Sequence, residues 1–562
     1  MDIETLTPRQ WIENEEAYTK LLEDQNIRDK IPFLNVNKTE HFKNLSLVKF
    51  YGMVQDMDSP EYYLEKFEVI NKITKQSTYV TGKYNENITV EDNEYVNFEN
   101  SSNITSERQT FVVISVPAIN SWVHTLDGKF RLDVTKNMQT EFSSNKRAYE
   151  ETMDVEAGPS NVEKKVCSEV SKAPYTKSTS SNPKDIFPFP KEGEQVFHIK
   201  LYTNQDKLKI NDVCEFVGFL DTFPTLIPEV CDAQMDTDAL NAPASLYPRI
   251  HCVNYKKMKH NNPLLEEDTK IENIDVLRKD LLVVLTQLLL GDELAAEYLL
   301  YHLISQVYLR RDGLALGKFS LNISNIPSLP SYPIGLYKFI EKLLPKSIYL
   351  PMTLENLNDL TFVPKKNYEL NYLSSGVLQL SNNTHVVLDE TKLSPGKLNE
   401  AGLSNIKALS SCIKHQSLHY DFKFYPLEFD CDIPFLILSE GKSMIPSDVH
   451  VVLQPDEMCL NNFKEIVEAA DHFLKPDLLN NIRKYLTSVR LIDYSLSEEI
   501  ETFIQDEFVK MRQDKNATID DLHGMLILAR LVSISEGKKT LGESAWKKAS
   551  EIEETRKIRI KN

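Results

Sequence analysis

The chain has 562 residues, 41% of them hydrophobic and 26% charged, and its formal net charge is −19. This length suffices for two or three domains with their own cores, while the acidity argues against nucleic acid as a partner, because a negative surface repels phosphate backbones. The seven cysteines form no CxxC pair, which argues against a zinc ribbon and is typical of reduced thiols inside a cell. A polar, acidic opening and the lack of a bilayer-length apolar run predict neither a signal peptide nor a membrane span.

The first part of the chain is predicted to form a helix followed by a β domain. Residues 7–30 have the pattern of an amphipathic helix beginning near Pro8. Strand-like segments rich in Val, Ile, Phe and Tyr follow, namely LSLVKFYGMVQDM, YYLEKFEVI, QTFVVISVPAI, VFHIKLY, KINDVCEFVGFL and YPRIHCVNYKK. Apolar density collapses over 137–190, which predicts a disordered polar insertion. We therefore expect one β domain built from 1–136 and 191–265. An OB-like barrel and other β domains fit this pattern equally well.

The second part changes to an α/β pattern at Val276. A long apolar helical stretch over 277–309 precedes short apolar runs separated by helices and loops, namely GKFSLNI, IYLPMTL, HVVLDET and PFLILSE. Such runs are typical of a parallel sheet. We expect an α/β core over 266–460 and a helical region over 461–562, in which Thr518 is a predicted helix N-cap.

One segment of the α/β part has the form of a nucleotide-binding motif. An apolar run from His385 to Leu388 ends in Asp389 and Glu390. In P-loop ATPases a carboxylate at such a position helps to hold Mg²⁺, and another group orients the attacking water. The arrangement resembles a Walker B segment.

A phosphate loop of the form GxxxxGK[ST] should accompany such a segment. The nearest upstream candidate is LLLGDELAAEY, which contains Gly291 and Asp292. Glu297 stands where the lysine is required and Tyr298 where the hydroxyl is required. A carboxylate facing a triphosphate is repulsive, so we predict no catalysis, no bound nucleotide and no metal. This assignment would fail if residues 281–290 form a helix, because a phosphate loop follows a strand.

Several segments resemble the ATPase domain of MCM replicative helicases, namely GDELAAEYLLYHLISQVY, LSSGVLQLSNNTHVVLDET, PFLILSEGKSMIP and NNIRKYLTSVR with ATIDDLHGMLILARLVS. The resemblance implies a degenerate AAA+-like α/β domain with a helical lid. It places Asp520 where a sensor 2 arginine would contact the γ-phosphate, and no Ser-Arg-Phe arginine finger follows the presumed sensor 1 strand. Three cations of a working ATPase are thus missing.

A closer resemblance covers nearly the whole chain and is to the minichromosome maintenance complex-binding protein family. It is carried by LVKFYGMVQDMDSPEYYL, SERQTFVVISVP, LLLGDELAAEYLLYHLISQVYLRRDGLALGKFSLNIS, NNTHVVLDET, LSEGKSMIP and LIDYSLSEEI. The family implies a nuclear, non-catalytic protein that binds MCM helicase subunits. It implies that the protein replaces one subunit in an alternative complex and supports assembly, stability or chromatin unloading of the helicase during replication, with a link to sister chromatid cohesion.

Two alternatives remain open from the residues. The chain could be a regulatory ATP-binding protein of the AAA+ class that uses Asp389 and Glu390 with other cations. It could also bind nucleic acid through the possible barrel, which the negative charge disfavours. The Arg310-Arg311 pair could contact a neighbouring subunit or form a solvated turn.

Overall fold

The computed structural model describes residues 3–86, 90–126, 195–202, 207–222, 248–265, 271–311, 313–368, 372–495, 498–515 and 518–561. The predicted disordered insertion at 137–190 lies outside these ranges. Within them, no helix combines the length and the apolar character needed to cross a bilayer.

The predicted β domain forms an eight-stranded sheet whose central strands close on themselves. Its strands are β1 (Ser46–Met57), β2 (Glu61–Asn71), β3 (Ser77–Thr81), β4 (Glu94–Val96), β5 (Ile104–Ile114), β6 (Val196–Leu201), β7 (Val213–Asp221) and β8 (Arg249–Lys257). β1 pairs with β5 and with β7, and β8 joins β7 to β6. The ring β1–β5–β6–β8–β7 is therefore closed, and β2, β3 and β4 extend from it. Because β5 pairs with β6, the strands on both sides of the insertion belong to one sheet, as predicted.

The predicted single helix over 7–30 is wrong in its continuity. Three short helices occupy this stretch: α1 (Pro8–Glu13), α2 (Glu15–Leu21) and α3 (Gln25–Arg28). Asn14 has a non-helical backbone that ends α1, and the side chain of Asp24 caps α3. Trp11 is fully buried and meets Phe219 of the barrel edge-on. The apolar residues that suggested an amphipathic helix do cover the barrel, but in separate turns.

The α/β part is built on a five-stranded parallel sheet with the order β12–β15–β18–β11–β19. These strands are β11 (Leu321–Ser324), β12 (Ser347–Pro351), β15 (His385–Asp389), β18 (Phe435–Leu438) and β19 (Val449–Val452). Two smaller sheets accompany it, one antiparallel and one mixed. One is the hairpin β9 (Leu309–Arg311) and β10 (Leu314–Leu316), and the other is a four-stranded sheet of β13 (Lys365–Asn367), β14 (Tyr372–Ser374), β16 (Ser417–Asp421) and β17 (Pro426–Asp430).

Both faces of the parallel sheet are covered, which explains its uninterrupted apolar runs. Along β15, Val387 faces one apolar cluster while Val386 and Leu388 face the other. The remaining helices are α4 (Ser121–Leu126), α5 (Ile274–Leu288), α6 (Glu293–Ile304), α7 (Tyr332–Leu343), α8 (Leu354–Asp359), α9 (Glu400–His415), α10 (Glu457–Asn461), α11 (Phe463–Phe473), α12 (Pro476–Arg490), α13 (Glu498–Lys515), α14 (Ile519–Ser535) and α15 (Glu543–Lys561). The predicted N-cap Thr518 is confirmed, because its side chain accepts a hydrogen bond from the Asp521 amide.

The helical region after residue 461 shares its apolar core with the α/β sheet. Buried residues of α12, α14 and α15 belong to the same cluster as those of α5, α6 and α7. Trp546 of α15 is almost fully buried in it.

The β part and the α/β part meet in a buried polar interface. The Trp122 indole N–H and the Asn120 amide both donate to the Leu344 carbonyl, at 2.8 and 2.6 Å. Lys366 forms an ion pair with Asp56 at 3.0 Å, and its side chain and that of Asp56 are both nearly buried. Because each buried polar group needs its partner, these bonds hold the two parts in one orientation.

Candidate functional site at the carboxyl edge of the parallel sheet

The place where an α/β sheet binds ligands is the crevice at the carboxyl ends of its strands, where the strand order reverses. In this sheet the reversal occurs at β11, which lies between β18 and β19 although β12 follows it in the chain. The residues that end β11, β15 and β18 therefore define the candidate site. They are Ser324, Asp389 and Leu438, together with the loops that follow them.

Asp389 lies at this edge, as the Walker B resemblance predicts, and acts there as a buried helix cap. Its side chain is fully buried. One carboxylate oxygen accepts hydrogen bonds from the Thr391 amide at 3.0 Å and the Thr391 hydroxyl at 2.6 Å. The other oxygen accepts a hydrogen bond from the Tyr349 hydroxyl. These bonds compensate for the burial of the charge, and they use both oxygens that a metal ion would need.

Glu390 follows Asp389 in a single 3-10 turn and is partly buried. Burial raises the pKa of its carboxyl group, while hydrogen bonds from Ser443 and the Met444 and Ile445 amides oppose that shift. Its partners belong to the loop after β18. Among the described residues, no group of three or more His, Cys, Asp or Glu side chains is arranged to hold a metal.

The loop after β11 stands where a phosphate-binding loop would be, and its backbone is already engaged. The amides of Asn325 and Ile326 donate to the carbonyls of Glu440 and Ser439, each at 3.1 Å. Pro327 and Pro330 have no N–H to donate. A phosphate cradle requires several convergent free amides and usually glycine, and this loop has neither glycine nor lysine.

The predicted phosphate loop at Gly291 and Asp292 is misplaced, because residues 274–288 form helix α5 rather than a strand. Gly291 has a φ of +87° and turns the chain between α5 and α6. Asp292 caps α6 by accepting from the Ala295 amide at 3.1 Å. It also accepts from the Gln454 amide at 2.9 Å and forms a two-oxygen ion pair with Arg559 of α15. The GDEL motif therefore ties a helix start to the end of β19 and to the last helix.

Glu297 and Tyr298 lie on α6 and have structural partners. Glu297 pairs with Arg278 of α5 at 2.6 Å and accepts from the Tyr301 hydroxyl at 2.5 Å. Tyr298 is fully buried, and its hydroxyl donates to Glu553 at 2.9 Å. Neither side chain belongs to the carboxyl edge of the sheet, so the residue-by-residue comparison with a Walker A lysine and hydroxyl does not apply to them.

The last two predicted positions are on the surface. Asp520 is exposed in the first turn of α14. Arg310 lies on the exposed hairpin β9–β10, where it pairs with Asp430 at 3.3 Å and donates to the carbonyl of Gln416 at 2.9 Å. Arg310 therefore has partners within its own chain, so it is not merely a solvated residue of a turn.

Sequence reasoning missed the loop after β11, which carries the strongest evidence about the site. Its two prolines were a readable signal, since proline supplies no amide to a phosphate. The partners Arg278 and Arg559 gave no local signal, because the contacts join positions far apart in the chain.

Comparisons with known proteins agree with the resemblance found in the sequence. A model of the family described as mini-chromosome maintenance replisome factor matches residues 18–560. Relatives named mini-chromosome maintenance complex-binding protein include one from Drosophila melanogaster, 38% identical over 97% of this chain and 95% of its own length. The relatives from Gallus gallus and Homo sapiens are 37% and 35% identical, each over 97% of this chain and 93% of their own. The predicted resemblance is confirmed: this chain belongs to the mini-chromosome maintenance complex-binding protein family.

Proposed function

We propose that this chain is a non-catalytic protein of the nucleus that binds MCM helicase subunits. In this proposal it replaces one subunit in an alternative complex and supports assembly, stability or chromatin unloading of the helicase. The partner is the one for which the family is named, the mini-chromosome maintenance complex. The observation that carries the absence of catalysis is the loop after β11, whose amides at Asn325 and Ile326 bind protein carbonyls.

The architecture supports a subunit-like role. A parallel sheet covered by helices, with a carboxylate at the end of a central strand, supports an AAA+-like origin for the α/β part. The closed five-strand ring supports an OB-like origin for the β part, since an OB fold is a five-stranded Greek-key barrel. Because the buried contacts between Trp122 and Leu344 and between Lys366 and Asp56 fix the two parts, the chain can present one rigid surface to a ring of helicase subunits.

The nucleic-acid alternative loses support from the charges on the barrel. Arg108 of β5 and Lys200 of β6 are nearly buried cations on neighbouring strands. Glu61 lies 2.9 Å from Arg108 and 2.8 Å from Lys200, and Glu86 lies at the same two distances. These cations are neutralised within the chain and leave no charge for a phosphate backbone.

The proposal is tested by mixing the purified full chain with purified MCM subunits, singly and as subcomplexes, and separating the mixtures by size-exclusion chromatography. We expect co-elution with at least one subunit or subcomplex, with or without ATP. Addition of the chain to an assembled ring lacking one subunit should yield a complex of the chain with the remaining subunits. If the chain co-elutes with no subunit and with no subcomplex, the proposal is refuted.

The regulatory ATP-binding alternative is tested by titrating a fluorescent ATP analogue and Mg²⁺ onto the purified chain. We expect no saturable binding below about 1 mM. Micromolar binding that is lost in the Asp389→Ala variant would support the alternative, because Asp389 is the carboxylate that such a site would use.

A further inference from the structure

The hairpin formed by β16, β17 and their turn has an apolar face that continues beyond the protein core. On this face Tyr420 is fully buried, and its ring lies 4.4 Å from that of Phe429 at an interplanar angle of 42°. Leu427, which pairs with Tyr420 across the hairpin, is 41% exposed, and the turn residues Tyr425 and Phe424 are 53% and 75% exposed. We use the name aromatic tip for Phe422, Phe424 and Tyr425 of the turn together with Tyr368, which lies between β13 and β14.

The aromatic tip is contiguous. Tyr368 and Phe424 have ring centroids 5.4 Å apart, and the rings of Phe422 and Tyr425 stack at 5.8 Å. The Tyr368 hydroxyl also donates to the Phe422 carbonyl at 2.9 Å. Scattered exposed apolar residues are ordinary, but a connected group of exposed aromatic side chains is typical of a protein interaction site.

The two strands that carry the aromatic tip are held by other parts of the chain. The Tyr420 hydroxyl accepts a hydrogen bond from the Asn211 amide of the β part at 3.0 Å. The Cys431 amide donates to the Gln416 carbonyl at 2.9 Å. Arg310 reaches across from β9 to pair with Asp430. A surface that is held in place before binding costs less ordering entropy on association.

The free edge of β17 is poorly suited to accept another strand, and the aromatic face is the better docking surface. β17 is the last strand of its sheet, and its outward-facing residues include Pro426, Glu428 and Asp430, which are exposed. Proline and charged residues on an edge strand oppose pairing with a further strand. Binding through side chains of the tip is therefore favoured over extension of the sheet.

The charges beside the tip favour a basic partner. Asp421 and Glu428 are exposed carboxylates on the polar face of the hairpin, whereas Lys423 is the cation of the turn. Glu428 accepts a hydrogen bond from the Ser417 hydroxyl at 2.5 Å and lies 4.0 Å from the His419 ring, which carries a charge only when protonated. Arg310 already neutralises Asp430. The chain as a whole carries a net charge of −19, so two copies repel each other and a basic surface is attracted.

We propose that the aromatic tip is a docking surface for an MCM helicase subunit, which would contribute an apolar pocket bordered by Lys or Arg side chains. This inference rests on the proposed function, because the partner's identity comes from there. Aromatic residues supply much of the energy of protein interfaces, and the exposed Phe424 and Tyr425 are the anchors. Glu428 sets the charge preference of the rim.

The test compares the full-length chain with the double variant Phe424→Ser/Tyr425→Ser in binding purified MCM subunits, by biolayer interferometry. We expect the double variant to weaken binding by at least about tenfold. Tyr62→Ser is the matched control, because Tyr62 is an aromatic side chain 76% exposed on β2 in the other part of the molecule. The control should bind within about twofold of the unchanged chain. Glu428→Lys should weaken binding and reduce its dependence on salt.

The outcomes separate this inference from the proposed function. If the unchanged chain does not bind any MCM subunit, the proposed function fails. If it binds and the double variant binds equally well, only the docking surface is refuted. Light scattering that shows a dimer lost in the double variant, or binding of single-stranded DNA lost with it, would overturn the inference in favour of another occupant. Because the replaced side chains are exposed, the double variant, Tyr62→Ser and Glu428→Lys should all keep the melting temperature of the unchanged chain. Should the double variant unfold, Tyr425→Ser alone serves as the binding test.

Discussion

The segments 291–298 and 385–390 both resemble nucleotide-binding motifs, yet the structure uses them differently. The 385–390 segment occupies the carboxyl edge of the parallel sheet, where an ATPase would place it, and its Asp389 is a hydrogen-bonded cap. The 291–298 segment comprises the turn between α5 and α6 and the start of α6, and it forms ion pairs with Arg278 and Arg559. The resemblance placed the end of β15 correctly, because the apolar run of a strand shows where that strand ends. It did not identify the loop after β11, because a phosphate loop can be recognised only once the strand before it is known.

The largest effect is expected when the anchor of the 291–298 segment is removed. Asp292→Ala should lower the free energy of unfolding by about 3–5 kcal/mol, because it deletes a buried cap and leaves Arg559 without its partner. Urea denaturation measures this. Asp292→Asn keeps the cap and should cost less. If Asp292→Ala changes stability no more than an exposed substitution does, the structural account of this segment is wrong.

The next test introduces at position 297 the lysine that a Walker A motif requires. Glu297→Lys should not create nucleotide binding, since residue 297 does not lie at the edge of the sheet. It should lower stability by about 2–4 kcal/mol, because a lysine would face Arg278 in a partly buried site. Glu293→Lys, at an exposed position of the same helix, is the control. Titration of a fluorescent ATP analogue and thermal unfolding provide the readouts, and ATP binding by Glu297→Lys would reinstate the Walker A assignment.

A smaller effect is expected at the 385–390 segment. Asp389→Ala should destabilise the chain by about 1–3 kcal/mol through the loss of the cap and the unpaired Tyr349 hydroxyl. Thermal unfolding with and without Mg²⁺ measures it. Both forms should respond equally to Mg²⁺. If Mg²⁺ stabilises the unchanged chain and not Asp389→Ala, then Asp389 binds the metal as it would in a working ATPase.

The smallest effect concerns pH. Since burial raises the pKa of Glu390, the folded state binds its proton more tightly than the unfolded state does. Its contribution to stability is therefore present at low pH and is lost as pH rises from the ordinary carboxyl range through the raised pKa. Glu390→Gln should remove this contribution, so the difference in unfolding free energy between the two forms should change as the pH rises above the ordinary carboxyl range. Identical pH profiles would contradict the raised pKa.

Much of the fold could be predicted from the sequence because its strands carry strong local signals. The content of Val, Ile, Phe and Tyr in β1 and β5 and the apolar run of β15 identify strands without any knowledge of their neighbours. The stretch 277–309 has a helical pattern, and α5 and α6 occupy most of it. Within it, residues 281–290 could also form a core strand on sequence alone, since a buried helix and a buried strand share an almost wholly apolar sequence. The break at Asn14 was also missed, because the periodicity continues across it.

The site was harder to predict than the fold, since its chemistry depends on distant partners. Asp389 could be placed from its own segment. The Asn325 and Ile326 amides donate to carbonyls near the end of β18, and nothing in their own segment of the sequence indicates this. Likewise, the pairing of Asp292 with Arg559 joins residues that no local pattern relates.

The closed ring of the β part has a consequence for how the protein is made. β1 forms one of its two ladders with β7, and β8 must join β7 to β6 before the ring closes. Translation adds about 5–20 residues per second, so the first strand waits on the order of ten seconds for its partner to leave the ribosome. During that interval the nascent chain exposes unpaired strand edges that can aggregate. Slow synthesis or a shortage of chaperones should therefore reduce the yield of this protein more than that of a helical protein of equal length.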